Sequence, residues 1–193
     1  MTINKKKHSH QKGFTLLELL VVIAIIGLIS SIAVVTLQNV RAEARDTIRL
    51  ADMKQIYTAL QIYNEKYGEF PTDATNGVHT CGGGAPLFYI PSGYSGNGEN
   101  FLQELVVEGI MPRVPVDPVR TEPGVAPDYC YGYTRRDPGS HGCDDSRGNY
   151  FVLMIKDLET WDGPGQHPSS SGWRCGDNLP WTGFEWAIGA YEN

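Results

Sequence analysis

The feature that most limits how this chain can fold is its opening apolar run, KGFTLLELLVVIAIIGLISSIAVV, residues 12–35. From Leu19 to Leu37 nineteen residues carry no formal charge. That is enough to cross a bilayer core of about 30 Å at about 1.5 Å of rise per residue. Glu18 stands at the front of the run, where a lone carboxylate held mid-membrane costs on the order of 2.5–3.5 kcal/mol. The chain therefore has to place both a helix that leaves water and the acid that goes with it.

Charge is divided as unevenly as hydrophobicity. Residues 1–13 hold Lys5, Lys6, Lys7 and Lys12 and no acid. Sixteen basic side chains less these four leave twelve against twenty-two acidic ones beyond them, a balance of −10. A basic flank before an apolar span orients that flank to the cytoplasm, so the acidic remainder is the exported portion. Its sign argues against general affinity for nucleic acid backbones, and no direct nucleic acid partner is expected. The 193 residues suit one modest domain with appendages.

Residues 1–37 admit three readings. A cleavable secretory signal has an apolar core of roughly 7–15 residues, shorter than this one and without an acid. A plain signal anchor accounts for the length and the basic flank but not for Glu18. The third reading places a cut between Gly13 and Phe14, before the run. On the order of Lys12, Gly13, Phe14, Thr15, Glu18 and the apolar stretch, KGFTLLELLVVIAIIGLIS resembles the processing segment of type IV pilins and of type II secretion pseudopilins. The resemblance implies that a prepilin peptidase cuts after Gly13 and methylates the new N-terminus at Phe14. Glu18 is then the fifth mature residue, the family's hallmark. The α-amine exposed at Phe14 has an ordinary pKa of about 7.7–8.0, and the resemblance implies that Glu18 meets this amine of a neighbouring subunit in a filament. Capping or snorkelling of Glu18 at the membrane interface is the alternative. Many pilins and the major pseudopilin carry a proline where this chain has Val35, so a kink there is in doubt despite Gly27.

Beyond the run, residues 38–67 lack proline and glycine. Met53, Ile56, Leu60, Tyr63 and Tyr67 recur at steps of three and four, the spacing of one helix face. Gly68 supplies a C-cap and Pro71 bars easy continuation. A helix over residues 14–67 would be roughly 80 Å long, its second part laid on a head domain. Arg41, Arg45 and Arg49 share a face four residues apart. Such neighbours repel by a few tenths of a kcal/mol unless Glu43, Asp46 and Asp52 relieve them. A solvated mixed face is expected, the other reading being contact with acids on neighbouring subunits. The block over residues 41–73 resembles the major pseudopilin, with Phe70-Pro71-Thr72 at its turn.

The remainder, rich in Gly, Pro, Asn, Asp and Tyr, reads as a loop-heavy head. Residues 73–98 read as a loop; its CGGGAP lacks the strand and helix that a phosphate cradle needs. A short helix is expected from Asn100, with Gln103 at the capping-box position, Phe101, Leu102 and Leu105 facing inwards and Gly109 at the end. VPVDP, residues 114–118, is an extended connector. Strands are predicted over 128–135, 149–155 and 184–191. The expected fold class is α+β, pilin-like: a long N-terminal helix, transmembrane in its first half, packed on a small antiparallel sheet. The expected divisions are a cleaved leader (1–13), a transmembrane and polymerisation helix (14–37), its amphipathic continuation (38–67) and a globular head (68–193).

Cys81, Cys130, Cys143 and Cys175 all lie in the exported portion and read as two disulfides with three possible connectivities. A shared hairpin favours Cys130–Cys143, leaving Cys81–Cys175. No metal ligand set is assigned and no cofactor is expected. Calcium is a possibility carried by Asp144, Asp145, the 157–162 region and Asp177, although EF-hand spacing is missing. His141 and His167 sit in polar loops without a nucleophile–base relation that spacing could establish. Trp161, Trp173, Trp181 and Trp186 read as core and subunit-contact residues. No catalytic residue is assigned and the chain is read as no enzyme.

The resulting expectation is a structural subunit of a type II secretion pseudopilus or type IV pilus-like filament. Its partners would be the prepilin peptidase, identical or related subunits, the secretion or pilus assembly platform, and the inner membrane, with the head extracytoplasmic. A membrane-anchored binding module that never polymerises is the alternative.

Overall fold

A computed structural model of the protein describes residues 14–72, 78–79, 102–119, 130–175 and 183–192, with residues 32–35 and 78–79 described by backbone alone. It opens with helix α1, Leu16–Tyr67, and continues through strand β1 (Val78–His79), helix α2 (Gln103–Val107) and strand β2 (Tyr131–Arg136). Two single 3₁₀ turns, Ser140–Gly142 and Asp145–Arg147, lead into β3 (Tyr150–Ile155), and β4 (Trp186–Tyr191) ends the described chain. The chain divides into two compact units, Met1–Arg41 and Ala42–Asn193.

In the first unit α1 is unbroken through Gly27 and Val35. With no proline to remove a donor, the backbone ladder runs without interruption. Every side chain described over residues 14–31 is exposed. Ser31 turns its hydroxyl back on the helix, donating to the Leu28 carbonyl at 2.7 Å, the usual way a serine satisfies itself in an apolar helix.

In the second unit the four strands run in the order β1-β2-β3-β4, all antiparallel. β3, YFVLMI, is buried along its whole length, as a continuous apolar run predicts for a strand covered on both faces. Period-two alternation sends Phe151, Leu153 and Ile155 to one side, where they pack with Met53, Ile56 and Leu60 of α1 and with Phe70, Tyr131 and Tyr133. Tyr150, Val152 and Met154 face the other way, against Cys143, Cys175, Phe184 and Trp173. Trp173 lies so close to β4 that a Cβ at Gly189 would stand 2.5 Å from its ring and 2.5 Å from the Phe151 carbonyl; only glycine fits there.

α1 stops where the sequence signals. Gly68 takes φ +75° and donates to the Asn64 carbonyl at 2.8 Å, closing the last turn without a Cβ penalty. The Phe70-Pro71 turn is then tied down by Tyr133, whose hydroxyl donates to the Pro71 carbonyl at 2.7 Å, and by Glu192, which accepts from the Phe70 N–H.

Several expectations are corrected. The helix begins at Leu16 rather than Phe14 because Thr15 caps it. The segment read as a loop contains β1, paired through Val78 with Tyr133 and through His79 with Gly132; two residues are too few to carry an alternation pattern. The short helix begins at Gln103, after Leu102 in a left-handed conformation (φ 48°) with no side-chain cap. Leu102 and Leu105 are buried as expected, while Asn100 and Phe101 lie outside the described residues. The three predicted strands start one to three residues later than expected. The favoured Cys130–Cys143 pairing is overturned: Cys143 is bonded to Cys175. Cys130 precedes β2 and Cys143 lies past its other end. Six residues at about 3.3 Å each hold the two apart, far beyond disulfide reach. Cys130 is itself disulfide-bonded, and Cys81 lies outside the described residues.

Candidate processing and assembly site

The start of α1 is built as a capping box. Thr15 is the N-cap: its hydroxyl oxygen accepts from the Glu18 N–H at 3.2 Å. Glu18, three residues on, returns Oε2 to the Thr15 N–H at 2.9 Å and to the Thr15 hydroxyl at 2.8 Å. Two of the helix's otherwise orphaned N–H groups are thereby satisfied. The Thr-x-x-Glu spacing of TLLE announces this pairing, so the capping role named as the alternative for Glu18 is present in the single chain. Phe14 lies just ahead of the cap, outside the helix and 79% exposed, and Gly13 lies outside the described residues. Among the described residues α1 is the one helix long and apolar enough to cross a bilayer, and none of its most apolar stretch is buried within the chain. Glu18 Oε1 has no partner among the described residues.

The second unit carries its own ionic cluster, which the sequence reading misplaced. Arg49, expected on a solvated face, is completely buried. Its Nε and Nη2 grip Asp117 in a two-pronged pair at 2.7 and 2.9 Å, and its Nη1 donates to Asp46 and to Glu159, each at 2.7 Å. Arg45 closes on Glu159 from the other side through Nε, at 2.7 Å, and Nη2. Asp46 also accepts from the N–H groups of Glu159 and Thr160 and from the Thr160 hydroxyl. The acids that relieve the arginines thus include two remote in sequence, brought in by the VPVDP connector and by the turn after β3. Burial alone would lower Arg49's pKa, but the three carboxylates hold it above its ordinary value. Arg45's hydrogen bond, opposed by burial, holds Glu159 below its ordinary value. Burial works to raise Asp46, yet its hydrogen bonds win and hold it low. Asp52 stands outside this cluster: burial lifts its pKa although the Tyr131 hydroxyl donates to it at 2.8 Å. A signal for Arg49 was available, because Asp46 and Arg49 continue the three-four spacing of Met53, Ile56 and Leu60 backwards along α1.

The remaining candidates do not converge. His141 meets the Tyr150 hydroxyl at 3.2 Å and His167 the Ser169 hydroxyl at 2.7 Å, in separate loops. Asp144 spends Oδ1 on the N–H and hydroxyl of Ser146. No group of three or more metal-type side chains is gathered among the described residues, and Asp177 lies outside them. Trp186 is buried, its indole N–H donating to the Ser169 carbonyl. Trp161 packs on the core and Trp173 stacks on Tyr150, while Trp181 is not described. An open groove of about 580 Å³ runs beside α1, lined by Asp52, Lys54, Thr58, Ile62, Met111 and Arg113 among others; it mixes apolar and charged walls without a catalytic arrangement.

A long N-terminal helix, capped and apolar at its start and followed by a small antiparallel sheet, is the α+β architecture of a pilin-like protein. The comparisons agree. The profile of the prokaryotic N-terminal methylation motif matches residues 8–34. The chain is 28% identical over 135 residues to the type II secretion system core protein G of Escherichia coli (strain K12), covering 70% of this chain and 78% of that one. It is 38% identical over 68 residues to a fimbrial protein of Neisseria meningitidis serogroup A, covering 34% of this chain and 39% of that one. Over 53 residues it is 42% identical to the type IV major fimbrial protein FimA of Dichelobacter nodosus, covering 28% of this chain and 34% of the relative. The match thus spans under half the length of these fimbrial relatives. No solved structure matches the chain. The chain is thus similar to type IV pilins and to a type II secretion core protein, and it carries the N-terminal methylation motif.

Proposed function

We propose that this chain is a structural filament subunit, cut by a prepilin peptidase between Gly13 and Phe14, methylated at Phe14 and assembled through α1. Residues 1–13 are the discarded cytoplasmic leader, residues 14–37 the membrane and polymerisation segment, 38–67 its amphipathic continuation and 68–193 the extracytoplasmic head. The observation that carries this reading is the opening of α1. A fully exposed apolar helix starts with an acid that has one oxygen committed to its own cap and one without a partner among the described residues. That second oxygen is what a neighbouring subunit's Phe14 amine would meet. In a dry bundle such a pair sets register as well as offsetting charge. Intact-mass measurement of the membrane form tests the cut: in cells with an active prepilin peptidase, residues 1–13 are expected to be gone. Replacing Glu18 with Ala tests the pairing, since normal filaments from that variant would remove it.

The secretion pseudopilus is the better-supported filament, because the likeness to the type II secretion protein extends over 135 residues and into the head, whereas the fimbrial likenesses described above stop at 53–68 residues. Deletion of the gene is then expected to block export of type II substrates while leaving surface motility intact; the opposite result selects the type IV pilus.

A further inference from the structure

We infer that the buried Arg49 cluster is a register lock, fixing which turn of α1 the head grips. The apolar stripe of α1 is close to self-similar. Met53, Ile56 and Leu60, all buried, are followed by Tyr63 and Tyr67 in steps of three and four. A repeat of seven residues maps one set of seats onto another. A slip of seven, about 10 Å at about 1.5 Å per residue, would set Ile56 where Arg49 sits, Leu60 where Met53 sits and Tyr63 where Ile56 sits. Hydrophobic packing alone discriminates weakly between such positions, because apolar burial is non-directional.

Asp46 and Arg49 occupy the next two seats of the same stripe, and both are buried. They break the repeat. Slipped one way, α1 leaves Asp117 and Glu159 without their guanidinium; slipped the other way, it drives Asp46 and Arg49 into the seats of Met53 and Ile56 against Phe151, Leu153 and Ile155. Three chain segments converge on Arg49: α1 itself, the connector through Asp117, and the turn through Glu159, with Asp46 holding that turn by its backbone N–H groups. The two-pronged contact with Asp117 adds direction, since a planar guanidinium accepts a carboxylate in one plane. A buried polar group that selects one alignment at a cost in stability is the best-attested use of such clusters. The inference concerns the second unit alone and stands whether or not the chain forms filaments.

The test uses the processed full-length chain in detergent micelles, with non-cysteine spin labels at exposed positions 58 and 137 and pulsed electron resonance distances as the readout. The parent is expected to give one distance. The apolar set Arg49→Met, Asp117→Leu, Glu159→Gln, in which Glu159→Gln still offers Arg45 an acceptor, is expected to show a second population displaced by up to about 10 Å. The polar, uncharged pair Arg49→Gln, Asp117→Asn provides the same reading should the first set fail to fold. One unshifted distance in whichever set folds overturns the inference. So does loss of the folded head in both, because the cluster would then be a stability element and not a selector.

Discussion

Two stretches of one helix obey different rules. Over residues 16–31 α1 is apolar on every face and buries nothing within the chain, whereas over residues 46–60 one face is buried and the others are wet. Backbone geometry is the same in both; what differs is the solvent each composition calls for. A helix apolar all round requires lipid or other helices, while a striped helix requires one packed surface. Charge follows the same division. The acid of the first stretch caps its own helix with one oxygen and has no partner for the other among the described residues, while Asp46 and Arg49 of the second are consumed within the chain.

This contrast breaks if mutations in the two stretches act alike. The largest expected effect is at Arg49. Arg49→Met leaves Asp117 without its guanidinium and takes one cation from Asp46 and from Glu159, and should lower the unfolding free energy of the head by about 3–5 kcal/mol, read by denaturant titration in detergent. Next comes the paired substitution of matched apolar residues. Leu60→Ala is expected to cost the head about 2–5 kcal/mol, while Ile23→Ala should leave it within about 0.5 kcal/mol. Equal losses would mean that the first stretch has partners inside the chain after all. Cys175→Ser opens a bridge between residues 32 apart in sequence and should cost about 2–4 kcal/mol. Non-reducing peptide mapping of the parent should return the Cys143–Cys175 pair, and a Cys130–Cys143 peptide would contradict it.

The smallest effect is in pH. Asp46 and Glu159 have folded pKa values below their ordinary 3.8 and 4.5. Their contribution is present above those ordinary values and is lost as the pH falls through the lowered ones. Asp52 is shifted the other way, so its contribution is fully present below its ordinary value and is lost as the pH rises from there through the raised one. Thermal melts of the head should therefore weaken below about pH 4, and a variant with Glu159→Gln should show a shallower acid limb. An unchanged limb would place the acid sensitivity elsewhere.

Much of this was legible in the residues. The apolar run, the capping spacing of Thr15 and Glu18, the Met53–Ile56–Leu60 face, the Gly68 stop and the strand YFVLMI each declare themselves through local rules of period, cap and turn. Arg49 misleads at the level of sequence because a charge ordinarily signals exposure. The three-four spacing placed it on the buried face, but its carboxylate partners lie 68 and 110 residues away. β1 was missed because two residues have no period. The cysteine pairing was misassigned because nearness in sequence is not nearness across a six-residue strand.

By itself, then, the sequence determined the long helix, the point where it ends, its division into an all-apolar and a striped part, and the processing motif at its start. These follow from interactions within a few residues of one another, where spacing is geometry. The carboxylate partners of Arg49, the Cys143–Cys175 bond, the β1 pairing and the seat of Trp173 over Gly189 were decided only by tertiary structure. Each depends on which distant segments the sheet brings together, and no local spacing encodes that.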